Sequence, residues 1–159
     1  MLIVNDDCFK SDNIIKISSD SDWNADDSGL LTNCAMDSLT SLLRQSPQTN
    51  STVLIIDCEK GTLPTVKIGL EIAKKFINIK SLIGKTVDFT IVYAKNEATK
   101  QWINNILQIY TPARGLHIID RKSNIKKLLK ITKEHKGIEN CINNTEVLSI
   151  LNNTVSVQN

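Results

Sequence analysis

Short apolar runs broken by polar turns open the chain, and helical stripes alternate with further runs after that. Leu2–Val4 is an apolar run ended by Asn5-Asp6-Asp7. Ile14–Ile17 is a second, bounded by Ser-Asp-Asn before it and Ser-Ser-Asp-Ser-Asp after it. Both predict short strands. Ser18–Gly29 is polar and acidic and predicts a loop, with Trp23 as its one large apolar side chain, suited to pin the loop onto the body or to stand exposed as a binding residue. Leu31, Cys34, Ala35, Leu39, Leu42 and Leu43 recur at helical spacing and predict an amphipathic helix over 30–45. Pro47 and the polar tract to Thr52 end it.

Val53–Ile56 is a continuous, β-branched-rich run, the pattern of a central parallel strand covered on both faces. It stops on one carboxylate, Asp57. A Gly/Pro loop follows, and a helix opens at Gly69-Leu70-Glu71, marked by Leu70, Ala73, Phe76 and Ile77, with Gly84 closing the segment. Phe89–Tyr93 predicts another strand, and Trp102, Ile103, Ile106, Leu107 and Tyr110 a helix over 98–110, which Pro112 and Gly115 break. Leu116–Ile119 predicts a strand. Ile125, Leu128, Leu129 and Thr132 predict a last main helix ending at Gly137. The tail holds one short helix, Thr145–Leu151, and a frayed end from Val155.

Helices and strands alternating in this way imply a parallel sheet with right-handed crossovers and helices on both faces. The expectation is one α/β domain over 1–137, built on a mostly parallel five-stranded sheet. A C-terminal extension over 138–159 carries one short helix.

At 159 residues, with 41% hydrophobic and 23% charged positions, the chain can bury a core as a single domain. Aromatics make up only 4%, so Ile, Leu and Val must fill that core. No apolar run reaches the roughly 18–20 residues of a membrane span, and MLIVNDDCFK lacks the basic start and long apolar stretch of a signal peptide. Cys8, Cys34, Cys58 and Cys141 are widely spaced, without a C-x-x-C, and only His117 and His135 could join them, so zinc ligation is not expected. All four read as reduced thiols in a cytoplasmic protein.

The net charge of +2 hides an asymmetry: residues 1–60 carry −6, residues 61–136 carry +10, and the remainder −2. This polarity fits solvated helix faces, or a docking surface for an acidic partner. The Lys126, Lys127, Lys130 and Lys133 series reads as the solvated side of its helix. It lacks interleaved aromatics and a recognition-helix motif, so nucleic acid is not the expected partner. There is no G-x-G-x-x-G and no Walker A lysine loop. His117 sits in an apolar strand and reads as a satisfied core histidine. No complete nucleophile–base pair is visible, so no enzyme is expected.

Asp6 and Asp57 each follow an apolar strand. Were those strands neighbours in a parallel sheet, the two carboxylates would meet at one edge, where a hard cation such as Mg²⁺ would relieve their repulsion. One oxygen would then be free to accept a phosphoryl group. The plainer reading is that turns favour Asp and Asn at strand ends.

LIVNDD at 2–7, VLIIDCEKGTLP at 53–64, GLEIAKKF at 69–76, FTIVYA at 89–94 and LHIIDRKSNIKKLLKI at 116–131 together resemble the receiver domains of two-component response regulators, over roughly residues 2–133. The resemblance implies a flavodoxin-like three-layer sandwich acting in signal transduction by protein–protein interaction. It implies Asp57 as phosphoacceptor, Asp6 and Asp57 with Asn5 as Mg²⁺ ligands, and Tyr93 and Arg121 at the switch and charge positions. Tyr93 replaces the family's Ser or Thr, Arg121 its Lys, and the loop after Asp57 is longer. A ring cannot swing to a phosphoryl oxygen as a small hydroxyl does, and a guanidinium is not a compact ammonium. These departures imply a degenerate, receiver-like interaction module. Strand, tight turn, strand and then helix–strand alternation also resembles the STAS domains of anti-sigma-factor antagonists, which implies a partner-binding module with Thr62 and Thr65 in the loop where that family carries a phosphorylated Ser. An exposed edge strand or the helix over 98–110 could also support a homodimer.

Overall fold

The computed structural model describes residues 2–5, 13–19, 30–60, 63–152 and 156–157. Its six described strands lie side by side in chain order: β1 (Leu2–Asn5), β2 (Ile14–Ser19), β3 (Thr52–Asp57), β4 (Val87–Tyr93), β5 (Leu116–Ile119) and β6 (Ser156–Val157). β2 to β5 are parallel, and β1 and β6 run antiparallel at the two edges. The expected five strands are therefore corrected to six, four of them parallel. The sixth comes from the segment expected to fray. Ser156 and Val157 pair with His117 and Leu116, giving the open edge of β5 backbone partners.

Six α-helices are described: α1 (Leu30–Gln45), α2 (Val66–Asn78), α3 (Lys80–Thr86), α4 (Glu97–Leu107), α5 (Lys122–Glu134) and α6 (Thr145–Asn152). α2 starts three residues before the expected Gly69, because Thr65 caps it and its hydroxyl accepts from the Ile68 N–H. Gly84 does not end a helix but lies within α3. Its carbonyl accepts from Asn50 Nδ2 at 2.7 Å, and that of Val87 accepts from the same nitrogen at 2.8 Å. Asn50 stands at φ 52°, so this one residue turns the chain into β3 and ties the turn to the start of β4. α5 runs into Lys136 at φ 59° and Gly137 at φ 133°, a left-handed stop that suits glycine.

Right-handed crossovers between strands in sequential order place all the connecting helices on one face. Accordingly, Ala35, Leu39 and Leu43 of α1 pack with Ile15, Ile17 and Leu54, and Ile68, Ile72 and Phe76 of α2 border the same cluster. Ile103 of α4 continues this layer against Val92, Leu116 and Ile118. α5 is no crossover, because no further parallel strand follows it. It folds onto the opposite face, where Ile125, Leu128 and Ile131 meet Val53, Ile55, Phe89, Ile91 and Ile119. Val147 and Ile150 of α6 close that face, so the segment after Gly137 contributes to the main core. All seven residues of β4 are buried, as a strand covered on both faces requires.

Candidate functional site

Alternation along the strands decides what stands at their carboxyl ends. Ile15 and Ile17 face α1, so Lys16 between them faces the α5 side. Asp57 follows Val53 and Ile55 onto that side, and Tyr93 follows Phe89 and Ile91. Asp57 is paired in register with Ser18 on one neighbour and with Tyr93 on the other.

Both oxygens of the Asp57 carboxylate are engaged. Lys16 Nζ lies 3.3 Å from Oδ2, and the Glu59 backbone N–H donates to Oδ1 at 3.0 Å. The side chain is 14% exposed, so the ion pair is largely shielded while its ammonium partner remains wetter. Glu59 pairs with Lys122 at 2.7 Å, and the Lys122 ammonium stands 5.5 Å from the centre of the Tyr93 ring. The hydrogen bond to Glu59 holds the Lys122 ammonium above its ordinary pKa, with the charges of Tyr93 and Asp57 adding to it. A second cluster continues along the rim, where Lys100 reaches Asp120 and Glu97, each at 3.1 Å. Hydrogen bonds to Asp120 and then Glu97 raise the Lys100 pKa.

Of the expected site residues, the structure brings together Asp57 and Tyr93. Arg121 is exposed at the N-cap of α5 and makes no ion pair among the described residues; Lys16 and Lys122 supply the positive charge around Asp57. Asn5 is not brought there. It pairs with Lys16 across β1 and β2, and β2 separates its strand from β3. Two strand spacings amount to roughly 10 Å. β1 also runs the other way, so Asn5 is at its end nearer the amino ends of the parallel strands, whereas Asp57 ends β3. Asp6 lies outside the described residues, as do Trp23 and Thr62. Among the described residues no group of three or more His, Cys, Asp or Glu side chains is gathered for a metal. The donors that Mg²⁺ needs are therefore not assembled around Asp57 by these residues, whose two carboxylate oxygens already have partners.

Cys58 points to the other face of β3 and borders Val92 and Ile103. Burial, reinforced by the charge of Asp57, pushes its thiol up to about 12, so it stays protonated and non-nucleophilic at neutral pH. His117 is buried as expected, at 2% exposure, but not satisfied: its Nδ1 has no hydrogen-bond partner among the described residues. Sequence reasoning missed Lys16, Glu59 and Lys122. The period of two across Ile15-Lys16-Ile17 carries the signal for Lys16, because a charge between two core residues must face the opposite side. Glu59 and Lys122 carry no comparable local signal, since their pairing depends on where α5 lands.

No helix among the described residues is long and apolar enough to cross a membrane. Fold and site define an α/β protein with a four-stranded parallel centre and a charged rim where its strands end. Compared with models of known families and with curated proteins, the chain matches none.

Proposed function

We propose that this protein is a signalling module that binds a protein partner at the carboxyl end of its sheet, of the STAS-like kind rather than a receiver phosphoswitch. The observation that carries the reading is the strand order. An antiparallel β1–β2 pair at the edge is followed by four parallel strands in sequence. A receiver-type acid pair needs the first strand beside β3, and here β2 takes that place. In this reading Asp57 is half of an ion pair that fixes the β3 loop, and the protein has no catalytic activity of its own.

The loop after β3 and the start of α2 supply the docking surface. Leu63 and Val66 are exposed there, Val66 to 74%, on either side of Thr65 and close in sequence to the Glu59–Lys122 pair. Apolar side chains within a charged rim are what a transient protein interface uses.

Thr65→Asp tests the surface without disturbing the fold. Asp caps a helix as well as Thr does and suits the positive end of the helix dipole. The expected outcome is chemical denaturation unchanged within about 0.5 kcal/mol, with loss of the protein partner that the wild-type chain captures. Capture undiminished in Thr65→Asp would place the interface elsewhere. Incubation with acetyl phosphate and Mg²⁺ supplies the second arm: the reading predicts no gain in mass, and a phosphoryl adduct that disappears in Asp57→Asn would restore the phosphoswitch.

A further inference from the structure

The layer between the sheet and helices α2 and α4 is not filled. A cavity of about 140 Å³ opens there, walled by Leu54, Ile56 and Val92 from the sheet, Ala73 from α2, and Trp102 and Ile103 from α4. Its volume is close to that of an engineered apolar cavity of about 150 Å³ that stays dry and binds benzene. The helices close over it tightly: a Cβ at Gly69 of α2 would stand 2.8 Å from Trp102 Cζ2 and 2.9 Å from Ile106 Cδ1. Glycine at this position lets α2 approach α4 and roof the space.

Two walls of this apolar space carry hydroxyls. Thr90 of β4 and Thr99 of α4 both line the cavity, at 5% and 6% exposure. They are polar side chains set among apolar neighbours on this lining. A ligand group that bonds one of these hydroxyls gains a hydrogen bond inside an otherwise apolar site. Tyr110, also on the lining, has its phenol held above its ordinary pKa by burial and remains neutral. Lys60 and Arg114 are also on the lining, and the Arg114 guanidinium is paired with Asp88 and Glu139; the apolar walls named above suit a neutral ring.

We infer that this cavity is a small-molecule site for a neutral, single-ring apolar compound bearing one hydrogen-bonding group, held by its ring against Ile56, Val92 and Ile103 and by that group on Thr90 or Thr99. The site lies on the face of β3 opposite Asp57 and is separate from the ionic rim. Apolar pockets with a few convergent polar groups are the usual form of such sites.

Phenol and toluene are the probes, read by shifts of the Ile methyl resonances in the intact protein. Both bind the wild-type chain, phenol more tightly by about fivefold, the worth of one added hydrogen bond. Thr90→Val/Thr99→Val keeps the shape of the walls and removes the hydroxyls, so it binds toluene as before and loses the preference for phenol. Ala73→Leu fills the space and abolishes the shifts from both probes. Ile103→Phe fills it from the other wall and guards against a misfolded Ala73→Leu. The assignment is overturned if millimolar probe leaves the Ile56, Ile72 and Ile103 methyls unmoved in the wild type, or if the shifts survive in a folded cavity-filled variant. A phenol preference that persists in Thr90→Val/Thr99→Val overturns the role of the hydroxyls.

Discussion

Lowering the pH from 7 to 4 removes on the order of 3 kcal/mol of stability through His117 alone. The imidazole lies in the strand layer against Phe89, ring centres 6.2 Å apart, and burial lowers its pKa from the ordinary 6.5 to about 4. Between those two values the unfolded chain holds a proton on this ring and the folded chain does not. Stability therefore rises with pH across that window: it is fully present above 6.5 and is lost as the pH falls towards 4. His117→Leu should show a shallower loss than the wild type between pH 6.5 and 4 in urea denaturation. It should not be less stable at pH 7, because the unpartnered Nδ1 disappears with the ring. Carboxylates add their own acid sensitivity to both proteins, so the difference between the two curves isolates His117. Parallel curves would mean that the buried ring is already solvated.

Truncating Phe89 to Ala is expected to cost about 3–5 kcal/mol. Phe89 is fully buried at the centre of β4 and packs in the layer beneath α5 and α6. Few aromatic side chains are available to this core, and the gap would open beside the buried His117 ring. Set against the roughly 5–15 kcal/mol of a typical domain, such a loss removes a large share of the stability. Phe89→Leu keeps most of the volume and should cost less than about 1.5 kcal/mol. The two sites are coupled through their ring contact. Water admitted beside His117 by Phe89→Leu should raise the histidine pKa and flatten the acid limb of the stability curve. A Phe89→Ala protein as stable as the wild type in urea would show that the layer under α5 is not packed as described.

The α/β alternation was legible because buried strands and amphipathic helices differ so plainly in period. Val53–Ile56 and Leu116–Ile119 are continuous apolar runs, while Leu39, Leu42 and Leu43 keep helical spacing. Helix limits were less so. Thr65 starts α2 by accepting from the Ile68 N–H, a cap that no apolar stripe reveals, and Gly84 continues a helix where glycine ordinarily stops one. Strand order was the larger gap. Whether Leu2–Asn5 joins the sheet beside β3 or at its edge depends on the direction of one short strand, and its apolar pattern is the same in either place. That direction separates Asn5 from Asp57 and changes the role of the carboxylate. The rim was partly legible through Asp57 and Tyr93. Glu59–Lys122 was not, because it joins the loop after β3 to the start of α5, two segments far apart in sequence. The cavity left no local trace either, since its walls read as ordinary core positions on four separate elements.

Hydrogen exchange on the protein with and without its captured partner tests the central claim most directly. The account predicts slowed exchange upon binding in residues 58–60, 63–70 and 120–124, around the β3 loop, the start of α2 and the start of α5, with Thr65→Asp removing it. Slowed exchange confined to α1, to α6 or to the β1 edge, with the carboxyl end of the sheet unchanged, would contradict it.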